Sequence, residues 1–297
     1  MAGGENQFDV PAGEFPDSSR WHARRDLFPV CSNPHCASGW LRLWRRRETP
    51  VFEGGWCCSA ECVAGRVKAA LCREMSGRTE MPAAHRHRIP IGLTMLKQGW
   101  ITHAELRAAL EAQHAAGAGR LGQWLIRQNS ASEERVTRAL GLQWSCPVMG
   151  AELHEEKGLM ALLPRLFVDA FGALPLRVTG QKLVYLGFED RPDPALALAM
   201  ERMTGLRVES GVVAESAFRP AHARFLEARF PAVELIEAAT EPAMAAAFAK
   251  VVERTRPVEA RLVRVHECLW LRLWLRPQRG PLPELDSFRD VIGSAAH

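Results

Sequence analysis

The sequence predicts an α+β multidomain protein: a small four-cysteine zinc-binding domain, a paired helical repeat, an αββαβ sandwich subdomain and a C-terminal α/β extension. Three observations carry that reading. Six of the eight cysteines fall between positions 31 and 72. One 24-residue pattern is written twice, at 90–113 and again 30 residues later at 120–143. Beyond it, helical and strand-like periods take turns, ending in "LWLRLWL" at 269–275, whose strict alternation is that of a strand with two different faces.

The composition sets the limits. A chain of 297 residues that is 47% hydrophobic can bury a core in each of two or three domains. A formal charge of +4 would suit an anionic partner but is too small to be the footprint of a nucleic-acid binder. The start "MAGGENQFDV" lacks a basic, then apolar, leader, and no apolar run approaches the ~20 residues that cross a bilayer. The expectation is a soluble cytoplasmic protein without membrane insertion. Clustered cysteines without a secretion signal favour a metal over disulfides.

Residues 1–25 mix Gly, Pro, Ser and charge without period and read as a disordered arm. In 26–80, Cys31 and Cys36 form one short-spaced pair and Cys58 and Cys62 another, the donor set of a tetrahedral zinc. Cys57 or His35 could replace a chosen ligand, and free thiols in a small core are the alternative. The second pair, "CSAEC", precedes the amphipathic run "VAGRVKAAL", so its last ligand opens a helix. This resembles treble-clef-like zinc fingers. Four cysteines close the shell and make the Zn2+ structural rather than catalytic. Between the pairs, Trp40, Leu41, Leu43 and Trp44 interleave with Arg42, Arg45, Arg46 and Arg47. That is a strand with one solvated basic face, or a surface for stacking bases and holding phosphates. Residues 78–89 read as a polar linker.

In the repeat, Gly92 matches Gly122, Met95 and Leu96 match Leu125 and Ile126, and Leu106 and Leu110 match Val136 and Leu140. Two copies are too few for a solenoid, so they form a paired helical unit within a larger domain, 88–150. Each copy is a short helix, a turn and a longer helix. Thr102 and Glu105 make a capping box, Ser132 precedes Glu133 and Glu134, and the turns hold Gly99 and Asn129, which tolerate left-handed backbone. Gln113 and Gln143 continue each apolar stripe at i+7 from Leu106 and Val136. Each amide there needs a partner, a backbone group or a ligand.

Residues 151–230 form the α/β half. Pro164 starts a helix through Phe171, "ALPLRV" and "KLVYLGF" are strands about Thr179-Gly180, "PALALAMERMTG" is a helix stopped by Gly205, and "LRVESGVV" is a third strand. A helix from Glu215 to Phe230 closes it. Residues 231–297 give a helix, "EPAMAAAFAKVVERT", a β-hairpin, and a tail from Gly280 that reads as a short helix and a loose end. "WLRLW" occurs at 40–44 and 270–274, a recurrence that either chance or two Trp/Arg faces meeting a common partner would produce.

The doubled motif, with an R-L-G start, spaced apolar residues, a glycine turn and a helix ending L-x-x-Q, resembles the N-terminal domain of type II secretion and type IV pilus assembly ATPases, called MshEN or the GspE/PilB N-terminal domain. The resemblance covers about residues 88–230. It implies cyclic di-GMP as a ligand of some members, held at positions matched here by Ile91, Gly92 and Gln113 in copy one, and by Arg120, Leu121, Gly122 and Gln143 in copy two. Copy one departs from it, with Pro90 where the arginine stands in the family: either the first half-site is weakened or Arg88 substitutes from a different backbone position. The ATPases carry their phosphate loop in another domain. Here no G-x-x-x-x-G-K-[ST], HExxH or GxSxG occurs, and His154-Glu155 and His266-Glu267 are isolated pairs, so no enzyme is expected. Three readings stand: a cyclic di-GMP receptor acting on a secretion or pilus component, a ligand-free protein adaptor with structural zinc, and, more weakly, a nucleic-acid binder.

Overall fold

The computed structural model describes residues 30–37, 49–76, 88–152, 158–180, 182–278, 280 and 282–295. The N-terminal arm, the Trp40–Arg47 segment, positions 78–87 of the linker and His154-Glu155 lie outside the described residues.

The cysteine-rich part holds a hairpin, β1 (Val51–Phe52) and β2 (Gly55–Trp56), followed by α1 (Ala60–Ser76). Glu53 and Gly54 turn the hairpin with φ of +48° and +73°, the pair of left-handed residues that a two-residue hairpin loop requires. Ser59 caps α1, its hydroxyl accepting from the Cys62 N–H at 3.3 Å. Val63, Val67, Ala70 and Leu71 form the buried stripe of α1, at the spacing of one helical face.

Four helices make the repeat: α2 (Ile91–Lys97), α3 (His103–Ala116), α4 (Leu121–Arg127) and α5 (Glu133–Trp144). The second pair starts 30 residues after the first at both helices. Packing is crossed, α2 on α5 and α3 on α4. The core repeats the same period: Met95 with Leu125, Ile101 with Ala131, Ala109 with Ala139, and Val136 beside them. The capping box at Thr102 and Glu105 is formed, Ser132 caps α5, and Gly99 and Asn129 take φ of +66° and +55°.

A four-stranded sheet follows, built from β3 (Val148–Met149), β4 (Ala173–Thr179), β5 (Leu183–Phe188) and β6 (Arg207–Val213) in the order β3-β6-β5-β4. Its helices are α6 (Arg165–Ala170), α7 (Pro194–Thr204) and α8 (Glu215–Leu226). Asp193 caps α7 by accepting from Ala195 and Leu196, and Gly205 ends it at φ +77°.

The C-terminal region departs from its sequence reading. It is a second four-stranded sheet, from β7 (Val233–Ala238), β8 (Glu259–Val265), β9 (Cys268–Trp274) and β10 (Phe288–Ala295), in the order β7-β10-β9-β8, with α9 (Glu241–Thr255) as crossover. The tail read as a short helix and loose end is the inner strand β10, parallel to β7 and antiparallel to β9. A charge at a buried position, Asp290, broke the alternation that marks a strand. The Trp/Arg face of β9 is not presented outward either. Trp270, Arg272 and Trp274 are 0%, 1% and 2% exposed. One carboxylate meets two of them: the Arg272 guanidinium donates to both oxygens of Asp290 at 2.7 and 2.8 Å, the Trp270 indole N–H donates to the same carboxylate at 2.8 Å, and Phe288 lies 4.1 Å beneath the guanidinium.

The parts share cores. One continuous cluster joins the first sheet, α6 and α7 to the Trp270 face of the second, with Phe167 set edge-on to Trp270 at 5.6 Å. The other face, Leu269, Leu271 and Leu273, packs with α9, α1 and the cysteine-rich hairpin. Backbone hydrogen bonds from Val51 to Pro257 and from Glu53 to Ala260 lay β1 along the outer edge of β8.

Candidate functional site

The four cysteines chosen as ligands come together. The sulfurs of Cys31, Cys36, Cys58 and Cys62 lie within 4.8 Å of one another, Cys36 to Cys58 at 3.4 Å and Cys58 to Cys62 at 3.6 Å. Metal–sulfur bonds of ~2.3 Å at tetrahedral angles place sulfurs roughly 3.8 Å apart, so this group could hold a metal ion. Cys57 and His35 are outside it, and the Cys57 sulfur meets the Ser32 hydroxyl at 3.6 Å instead. Burial pushes the Cys31 thiol up to about 12, against backbone N–H groups of Asn33 and Cys58 that favour its thiolate. A cation among the sulfurs reverses that balance, since a coordinating thiol is held deprotonated. Amides aimed at the sulfur are then the outer support that such a ligand needs.

The repeat residues have defined places. Gly92 and Gly122 sit where helices touch. A Cβ on Gly92 would stand 2.7 Å from Leu106 and 3.1 Å from Leu121, and one on Gly122 would stand 2.6 Å from Val136. Leu106 and Val136 are themselves 30 residues apart, so both glycines do the same packing job. Ile91 and Leu121 pack partly buried against the same core. The glutamines are crossed: the Gln113 amide donates to Gly119 O at 2.7 Å, just ahead of α4, and the Gln143 amide donates to Ile89 O at 3.0 Å, just ahead of α2. Each copy thereby pins the entry of the other.

The starts of α2 and α4 lie side by side and carry charge. Arg120, the N-cap of α4, donates to Glu189 at 2.9 Å with its side chain 49% exposed, and Asp190 lies 3.8 Å away. Arg219 of α8 binds the same Glu189 at 3.2 Å, and Gln123 donates to Glu215. The Arg88 guanidinium lies flat on the Trp144 ring, 3.4 Å from its centroid, and Arg191 lies 5.2 Å from the same ring. Arg88 Nη1 and Trp144 Nε1 are buried with no hydrogen-bond partner among the described residues. Burial, and then the charge of Arg191, push the Arg88 guanidinium below its ordinary value. The segment 189–191 thus holds both ends of the second copy, Arg120 ahead of α4 and Trp144 at the end of α5. Sequence reasoning found Arg88 and Arg120 but not Glu189, Arg191 or Trp144, whose roles come from partners far away along the chain.

Similar solved structures include MshE with cdg, at 25% identity over 46% of this chain and 99% of that one, with a TM-score of 0.35. Others are the N-terminal domain of XpsE in two crystal forms, at 20% and 21% identity, over 45% of this chain and 92% and 93% of theirs, with TM-scores of 0.31 and 0.26. No protein-family model and no curated protein matches the chain. Among the described residues, no helix is long and apolar enough to cross a membrane.

Proposed function

We propose that this chain is a non-enzymatic cytoplasmic regulator whose helical repeat receives cyclic di-GMP and whose four-cysteine group holds a structural zinc, acting on a secretion or pilus assembly component. The observation that carries the ligand reading is that Arg88 and Arg191 share the Trp144 ring ahead of α2, while Arg120, ahead of α4, is held by Glu189, two residues before Arg191. Guanidinium forks suit phosphate oxygens and guanine edges, and a planar Trp/Arg stack suits a base. Calorimetric titration of the zinc-replete protein, with GTP as control, tests it. Saturable micromolar binding of the cyclic dinucleotide is expected, weakened about tenfold or more in Arg120→Ala. Absence of heat, or an unchanged affinity in that variant, overturns it. The zinc should appear at one equivalent and be lost in Cys58→Ser/Cys62→Ser.

A ligand-free adaptor is the second reading. It is favoured by the structural uses of Gly92, Gly122, Gln113 and Gln143, and by Arg120 already being paired to Glu189.

A further inference from the structure

Helix α1 carries the ligand Cys62 in its first turn and Glu74 in its last, about 18 Å apart along the axis. Glu74 is only 6% exposed and joins three parts of the molecule. Arg202 of α7 donates to both its oxygens at 2.5 and 2.8 Å, the Arg264 N–H of β8 donates at 3.2 Å, and Arg73 donates at 3.0 Å. Burial alone would raise the Glu74 carboxyl, but Arg202 and Arg73 outweigh it and hold it below the ordinary carboxylate value. The same end of α7 is gripped by Arg261 of β8, which donates to the carbonyls of Arg202 and Met203 at 3.2 Å each.

The opposite end of α7 opens at Asp193, directly after the 189–191 segment that holds Arg120 and lies on Trp144. Asp193 also meets His266 of the β8–β9 turn at 2.6 Å. One helix of 11 residues therefore touches the repeat's charged end through the segment before it and the metal-bearing helix through its last turn. We infer that α7 is a strut that couples the four-cysteine metal site to the repeat, with Glu74–Arg202 as its joint: filling the metal site steadies α1, and α1 in turn fixes the 189–193 segment against Arg120 and Trp144. This regulates the site proposed above, but it is read without any nucleotide, so it can fail independently of that assignment.

Amide hydrogen exchange followed by mass spectrometry on the full chain, before and after zinc is stripped by a chelator, tests the coupling. Stripping should raise exchange at least about fivefold in the first turn of α7 and across the start of α4, in addition to α1. Glu74→Gln should retain its metal and stay protected around Cys58 and Cys62, yet reproduce the distant rise. If Glu74→Gln does not fold, Arg202→Ala, cutting the half-exposed partner, applies the same test from the other side. Changes confined to residues 31–76 and the surfaces they lie on overturn the strut, as does a protein that binds no zinc.

Discussion

The two sheets share one strand order, first-fourth-third-second, yet are covered differently. In the first, the third strand, β5, reaches the fourth, β6, through α7, and the pair is parallel, as a connection of that kind requires a crossover. In the second, β9 reaches β10 by a loop and the pair is antiparallel, so no second helix is supplied. Its two faces are closed instead by borrowed elements, α7 and α6 on one side and α1 beside α9 on the other. A missing crossover has made one half of the molecule dependent on the rest.

If that contrast is sound, the second sheet should be the fragile one. The largest effect is expected from Asp290→Ala, which leaves the Arg272 guanidinium buried and unpaired; no strand of the first sheet carries a buried charge among the described residues. Urea unfolding should show a loss of about 3–5 kcal/mol. A loss below about 1 kcal/mol would mean that the buried pair is not what fixes β9 to β10.

The borrowed edge gives the next effect. The Glu259 carboxyl of β8 accepts from the Gly54 N–H at 3.1 and 3.2 Å, and Arg261 lies 3.7 Å away. Burial pushes this carboxyl up to about 7 from 4.5. Folded protein therefore binds the proton more tightly than unfolded, and the stabilisation from that proton is complete below pH 4.5 and lost as pH rises through about 7. The loss amounts to about 3 kcal/mol. Glu259→Gln should remove this component from the slope of stability against pH; parallel curves for the two proteins would refute the assignment.

Smallest should be the crossed glutamines. Gln113→Ala and Gln143→Ala each remove one hydrogen bond at matched places and should cost about 1 kcal/mol apiece, equally, leaving both sheets unaffected. Unequal costs would mean that the two copies no longer share one structure.

What could be read beforehand follows from how local each signal is. The repeat was legible because Gly92, Met95 and Leu106 recur as Gly122, Leu125 and Val136 on short-range helices with their caps written beside them; Ile101 with Ala131 and Ala109 with Ala139 joined that core only in the structure. The cysteine group was legible because its donors come in two close pairs. Strand β10 was not, because Asp290 looks polar until Arg272 is placed opposite it. Nor was the face of β9, since alternation of Trp and Arg with Leu says that there are two faces but not which one is wet. Glu74 with Arg202, and Arg120 with Glu189, join residues 128 and 69 positions apart and leave no local trace.

The docking of α1 also has a consequence in time. This helix ends at Ser76, and the strand it lies on begins at Glu259, about 180 residues later. At ~5–20 residues per second a ribosome takes roughly 10–40 s to cross that interval. Throughout it, Val63, Val67 and Leu71 have no sheet to cover them. An ion gripped by Cys31, Cys36, Cys58 and Cys62 would pin the first turn of α1 to the hairpin during that wait, while its apolar stripe stays open until α9 and β8 emerge.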